Sequence, residues 1–91
     1  MGTGPTALAR HALGLVDGRK VSYRNHFVCG PGHQDFEEWE RMVAIGDAAK
    51  FDRRKLFGGD YLFKLTFKGA RSVLREGEQL DPEDFPEASA P

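Results

Sequence analysis

The side chains best suited to metal binding or nucleophilic catalysis lie close together in residues 26–33. His26, Cys29 and His33 supply two imidazoles and one thiol, which are the donors that zinc prefers. Their spacing differs from the paired cysteines and paired histidines of a structural zinc site, and a fourth ligand is missing. A nucleophilic Cys29 would also need a base and a site for the developing oxyanion. The sequence therefore predicts no catalytic residue, no metal and no cofactor, and favours a protein that is not an enzyme.

Uneven charge is the second chemical feature of the chain. The net charge is −1, but the last sixteen residues, 76–91, hold six carboxylates and no base. All thirteen Lys and Arg residues lie in residues 1–75 with eight carboxylates, which gives this part a charge of +5. A basic body can bind a polyanion, and an acidic tail can fold back and compete with it. A tail that only adds solubility is an equally good interpretation.

Most of the positive charge lies in the second half of the chain. It is expected at the tip of a hairpin, on the outer side of its second strand and on one face of a final helix. Contacts between such cations and phosphates position a protein on nucleic acid without reading its base sequence. The alternative is a charged hairpin tip that only contacts water. The candidate nucleic-acid-binding residues are Lys50, Arg53, Arg54, Lys55, Lys64, Lys68, Arg71 and Arg75.

A β-hairpin over residues 48–66 is predicted to present these cations. Gly58 and Gly59 supply its turn. Its second strand alternates between two faces, as is typical of a half-buried strand. The face expected to lie against the core carries Tyr61, Phe63 and Leu65.

Three helices are predicted around this hairpin. The first begins near Pro5, stops near Gly14 and buries a face formed by Leu8, Ala12 and Leu15, with Arg10 on its outer side. The second spans residues 35–45 and has Trp39 at the centre of the core. The third begins after Thr66, whose hydroxyl can cap its first turn.

The start and the outer face of the central helix lead to two further predictions. Asp35 and Glu38 have the spacing of a capping box. The outer face carries Glu37, Glu38, Glu40 and Arg41, and three carboxylates would repel phosphates. This helix is therefore predicted not to enter a DNA groove, and the same four residues form an alternative surface for binding a protein.

The order of helix, hairpin and helix resembles the second half of a winged-helix domain. In that family a helix ending in L-V-x-x-G-L leads into a hairpin and then into L-T-x-x-G-x-x-x-L. The resemblance covers about a third of the chain, and Asp47 stands where the family usually has an apolar residue. It implies an α+β, winged-helix-like fold. The matching residues are Met42, Val43, Gly46, Tyr61, Leu65, Thr66, Gly69 and Leu74.

Residues 21–28 bear on the first half of that fold. Val, Tyr and Phe favour an extended segment here, either a strand or a loosely wound stretch, whereas a winged helix would have a helix. If the segment is extended, the helix-turn-helix half is shortened or remodelled. The stretch Tyr23 to Val28 is also similar to stretches of small proteins that bacteriophages and prophages encode. This second resemblance implies an origin and no activity.

Together these observations predict a frayed N-terminus (1–4), one winged-helix-like domain (5–75) and an acidic disordered tail (76–91). One cysteine and no long apolar run indicate a cytoplasmic protein that does not contact a membrane. The predicted function is that of a nucleic-acid-associated regulator or accessory factor. The alternative is a protein-interaction module, including a phage-encoded inhibitor of a host protein, that acts through Glu37, Glu38, Glu40 and Arg41 or through the tail. No small-molecule substrate is expected.

Overall fold

The computed structural model describes residues 4–16, 18–56 and 58–89, and these contain three α-helices, three short strands and a 3-10 helix. The strands form one antiparallel sheet of order β1-β3-β2, so the α+β class is confirmed. Residues 1–3, part of the predicted frayed terminus, lie outside the described residues. In chain order the elements are α1 (Pro5–Leu13), β1 (Phe27–Cys29), α2 (Phe36–Ala44), β2 (Ala48–Phe51), β3 (Tyr61–Leu65), α3 (Phe67–Ser72) and a 3-10 helix (Pro86–Ser89).

A stack of three aromatic rings joins α2 to the sheet. The indole of Trp39 is fully buried, as predicted, and lies between the rings of Phe27 and Phe63. The ring centroids are 5.3 Å apart for Phe27 and Trp39 and 5.5 Å apart for Trp39 and Phe63, and the planes are within 27° of parallel. Each such contact contributes about 0.5–1.5 kcal/mol beyond the burial of its area. The stack therefore connects α2 to both β1 and β3.

The predicted hairpin is formed by β2 and β3. Phe51 pairs with Leu62 and Ala48 with Leu65, and residues 52–60 connect the two strands. The alternation in β3 is as predicted, because Phe63 and Leu65 are buried and Lys64 is exposed.

Segment 21–28 is extended only in part. Only Phe27 and Val28 of this segment belong to β1, and Val21 forms an isolated bridge with Gln79. The side chain of Asn25 donates to the carbonyl of Leu65 at 3.0 Å and accepts from its N–H at 2.8 Å. This amide uses the backbone groups that a longer β1 would pair with, and β1 is therefore short.

The first turns of α3 and α2 are stabilised differently. Gly69 donates its N–H to Thr66 Oγ1 at 3.1 Å, which confirms the predicted cap of α3. A side chain at Gly69 would place its Cβ 2.0 Å from the carbonyl oxygen of Asp47, so α3 can approach the start of β2 only with glycine there. At α2 the predicted capping box is wrong, since the Asp35 carboxylate accepts no capping hydrogen bond and Glu38 pairs with Arg41.

Helix α1 begins and ends as predicted. Pro5 lies in its first turn, and Gly14 ends it in the left-handed conformation with φ of 80°. A Cβ at Gly14 would lie 2.1 Å from the ring of Tyr23, so this position also needs glycine. The predicted apolar face is buried and consists of Leu8, Ala12 and Leu15.

The acidic C-terminal segment, residues 76–89, packs against the body and so differs from the predicted disordered tail. Leu80 is 6% exposed and Phe85 is 3% exposed. Ser22 Oγ accepts a hydrogen bond from the N–H of Asp81 at 2.8 Å. These two apolar side chains belong to the core, and the ring of Phe85 lies 6.5 Å from that of Phe67 in α3.

A buried ion pair between Arg10 and Glu78 holds the start of this segment. Both distances between guanidinium and carboxylate atoms are 2.6 Å, and Arg10 also donates to the carbonyl of Val73 at 2.9 Å. The prediction that Arg10 lies on the outer side of α1 is therefore wrong. Glu78 also accepts from the N–H of Arg75. Helix α3 ends at Ser72, so Arg75, predicted to lie on a face of the final helix, follows its end.

We expect Phe85→Ala to lower the free energy of unfolding by about 3 kcal/mol, because it leaves a cavity in the core. The exposed neighbour Glu83→Ala should change it by less than about 0.5 kcal/mol. Urea denaturation of both variants checks this difference. Equal stability of the two variants would mean that the segment does not pack.

Stability should also fall in acid through Glu78. The hydrogen bonds from Arg10 lower the pKa of Glu78 from 4.5 to about 2. Because the folded-state pKa is the lower one, the stabilisation is complete above pH 4.5 and is lost as the pH falls towards 2. We expect Glu78→Gln to flatten this part of the curve of unfolding free energy against pH. Glu76→Gln serves as the control, and parallel curves for the two variants would contradict the assignment.

Candidate nucleic-acid interface

The outer face of the hairpin carries one exposed aromatic ring beside two cations. Phe51 is 37% exposed at the end of β2. Lys64 pairs with Ala49 in the sheet, and alternate residues of a strand share a face, so Lys64 lies on the same face as Phe51. The ring centroid of Phe51 lies 5.7 Å from Arg53 Cζ and 5.8 Å from Lys64 Nζ. The ring thus holds both cations at one surface.

The tip of the hairpin adds a second basic region. Residues 52–56 line an open cavity of about 590 Å³, and Leu56 in it is 73% exposed. Arg54 donates two hydrogen bonds to the Asp52 carboxylate, at 2.8 and 2.9 Å. These bonds lower the pKa of Asp52 and raise that of Arg54, so both groups stay charged and the guanidinium is paired with a carboxylate. Lys55 has no such partner among the described residues.

Two of the predicted interface residues instead connect the hairpin to the helices. Lys50 pairs with Phe63 in the sheet and therefore lies on its core-facing side, where its ammonium forms an ion pair with Glu40 of α2. Lys68 of α3 forms an ion pair with Asp47 at 2.6 Å and donates to the carbonyl of Ile45. Both residues are thus engaged within the fold, so we leave them out of the interface.

The last two predicted residues lie near the C-terminal segment. The guanidinium carbon of Arg71 is 5.0 Å from the ring centroid of Phe67, and Arg71 lines a cavity with Leu80. Arg75 follows the end of α3 and lines a different cavity, beside α1. The structure therefore does not bring Arg71 or Arg75 to the tip of the hairpin.

Within the described ranges, three of the eight predicted cations remain at the hairpin with no carboxylate within 4 Å: Arg53, Lys55 and Lys64. Phe51, whose ring lies beside two of them, was not among the predicted site residues. Phe51 shares a face with Ala49, and only the pairing of Ala49 with the exposed Lys64 shows that this face points away from the core. We define the hairpin surface as Phe51, Arg53, Lys55 and Lys64.

The outer face of α2 is partly neutralised. Glu38 forms an ion pair with Arg41 at 2.9 Å, and Glu40 pairs with Lys50 across to β2. Glu37 forms no ion pair with any described residue. A shallow cavity of about 240 Å³ on this face is lined by Gln34, Asp35, Glu37, Glu38 and Arg41.

The three residues first considered for metal or nucleophilic chemistry differ in burial and in hydrogen bonding. Cys29 is fully buried, and burial, with smaller contributions from Asp35, Asp60 and Glu40, raises its pKa to about 11. It is therefore a thiol at neutral pH, which is a poor nucleophile and a poor ligand. His33 Nδ1 accepts the N–H of Asp35 at 3.0 Å. Across the described residues, no group of three or more His, Cys, Asp or Glu side chains is placed to hold a metal ion.

Two further findings concern membrane crossing and similarity to known proteins. In the part of the chain that is described, none of the helices has the length and apolar character needed to cross a membrane. No protein-family model, no curated protein and no solved structure matches the chain. A function can therefore be inferred only from the geometry of the molecule itself.

Proposed function

We propose that this protein is a small, non-enzymatic, winged-helix-like protein that binds nucleic acid through the hairpin surface and acts as a regulator or accessory factor. The observation that carries the proposal is the pair of cations, Arg53 and Lys64, held beside the exposed ring of Phe51 with no ion pair to any described carboxylate. Their charge is available to phosphates.

A cation contacts a phosphate most easily when no carboxylate is already paired with it. An anion that approached Arg54 would have to compete with Asp52, which is 2.8 Å away, whereas Arg53, Lys55 and Lys64 have no such competitor among the described side chains. Contacts of this kind release counterions from the nucleic acid and therefore give non-specific, strongly salt-dependent binding. None of the residues of the hairpin surface lies in a helix that could read base edges in a groove. We therefore propose that this surface recognises phosphates.

The arrangement of the neighbouring elements supports the use of the hairpin. Helix α2 precedes it and α3 follows it, which is the order that the winged-helix resemblance implies. The carboxylates of α2 disfavour insertion of that helix into a groove, so the hairpin makes the contact.

The C-terminal segment leaves the hairpin surface open. Its two buried apolar side chains are Leu80 and Phe85. The ring of Phe85 lies 6.5 Å from that of Phe67, the first residue of α3. Glu78 is engaged by Arg10, and within the described residues no carboxylate of this segment lies within 4 Å of a hairpin cation. The acidic segment therefore does not neutralise the proposed binding surface by direct contact.

The alternative, a protein-interaction module or inhibitor of a host protein, is favoured by one observation. Ile45 is 60% exposed and follows Glu38 and Arg41 on the same side of the helix end. An apolar side chain beside charged ones is a feature of binding surfaces. In the C-terminal segment Leu80 and Phe85 are buried, so a partner of this alternative would contact exposed carboxylates such as Glu83 and Asp84.

Salt titration of binding to a generic DNA duplex, measured by fluorescence anisotropy, tests the proposal. Each phosphate contact contributes about 0.9 to the slope of log K against log salt, so Arg53→Gln with Lys64→Gln should reduce the slope by about 1.8. The matched control is Arg19→Gln with Lys20→Gln, which removes the same charge beside α1 and should leave the slope nearly unchanged.

Two results would refute the nucleic-acid proposal. One is the absence of binding at low salt by the unmodified protein. The other is an equal loss in both double variants, which would show attraction by overall charge alone. Loss on Arg41→Ala, with no effect of the hairpin changes, would instead place the contact on α2.

A further inference from the structure

A second basic concavity lies between α1 and the turn that follows α3. Its volume is about 450 Å³, within the roughly 300–1,000 Å³ range of small-molecule sites. Four cations line it, from three separate segments of the chain: Arg10, Arg19, Lys20 and Arg75. The hairpin surface includes none of them, so this cavity needs its own explanation.

The one carboxylate among the described lining residues is already engaged. Both oxygens of Glu78 accept hydrogen bonds from Arg10 at 2.6 Å, and Oε1 also accepts the N–H of Arg75 at 2.8 Å. Arg10 and Glu78 thus neutralise each other. Because Arg10 also donates to the carbonyl of Val73, this pair fixes one side of the cavity and needs no ligand for its own stability.

The other three cations have no such partner in the part of the chain that the structure describes. No described carboxylate lies within 4 Å of Arg19, Lys20 or Arg75. Arg19 is held at 4.4 Å from the ring centroid of Tyr23, so its guanidinium is positioned by a contact that leaves its hydrogen-bond donors available. Three like charges around one concavity repel each other, and a bound anion would relieve that repulsion.

The size and lining indicate which kind of anion fits. A diphosphate ester has about three negative charges at neutral pH, which matches the three unpaired cations. The cavity is larger than a diphosphate needs, and its remaining wall includes the half-exposed side chain of Val16. That wall suits the uncharged part of the ligand. We propose that this cavity binds a small molecule with a diphosphate or triphosphate group, such as a nucleoside diphosphate.

Isothermal titration calorimetry of the full chain with pyrophosphate, ADP and adenosine tests this site. We expect ADP to bind more tightly than pyrophosphate, because only ADP also contacts the apolar wall, and adenosine to bind hardly at all. Arg19→Gln with Lys20→Gln should weaken ADP binding by about tenfold or more, since it removes two charge-assisted contacts. Arg53→Gln with Lys64→Gln, which removes the same charge at the hairpin, should leave ADP binding unchanged.

Several results would overturn the site. They are no binding of ADP or pyrophosphate, equal weakening in both double variants, or binding of adenosine as tight as that of ADP. A reduced salt slope for DNA in the Arg19 and Lys20 variant would also overturn it, because the cavity would then belong to the nucleic-acid surface. Circular dichroism confirms that each variant is folded, and Arg75→Gln provides a third, independent variant that should also weaken ADP binding. Failure of this site leaves the hairpin proposal untouched, since the two use different residues and probes.

Discussion

The stacking of Trp39 between Phe27 and Phe63 is the interaction on which the rest of the structure depends. It attaches α2 to two neighbouring strands and thereby fixes which face of β3 points to the core. Side chains alternate in a strand, so a shift by one residue would turn Phe63 outward and Lys64 inward. The position of the hairpin surface is thus a consequence of an aromatic core on the opposite face of the same sheet.

The distribution of ion pairs decides which cations are available for binding. Lys50 is drawn to Glu40 because the register places it on the side of the sheet that faces α2. Lys68 forms an ion pair with Asp47, and Arg10 forms one with Glu78. These pairs connect helices, hairpin and C-terminal segment, whereas Arg53, Lys55 and Lys64 project where no described carboxylate reaches. Positive charge at the hairpin therefore persists although the net charge of the chain is −1.

Local patterns were sufficient to predict the elements whose cause is local. The period-two alternation predicted β3, and the apolar stripe around Trp39 predicted α2. The hydroxyl of Thr66 predicted the start of α3. Apart from the capping box of α2, which is a local pattern, the predictions that failed involve partners far apart in sequence. Arg10 and Glu78 are separated by 68 positions, and nothing near Arg10 indicates that a carboxylate will cover it. The short β1 has the same kind of cause, because Asn25 is paired with Leu65, 40 positions away.

The central claim is that nucleic acid contacts the hairpin surface and not α2. Backbone amide chemical shifts of the isotope-labelled protein, recorded by NMR during titration with a short DNA duplex at low salt, test it most directly. The account predicts that the shifts concentrate at residues 51–55 and at Lys64, with residues 37–41 unaffected. Shifts concentrated at residues 37–41, or no shifts at all, would contradict it.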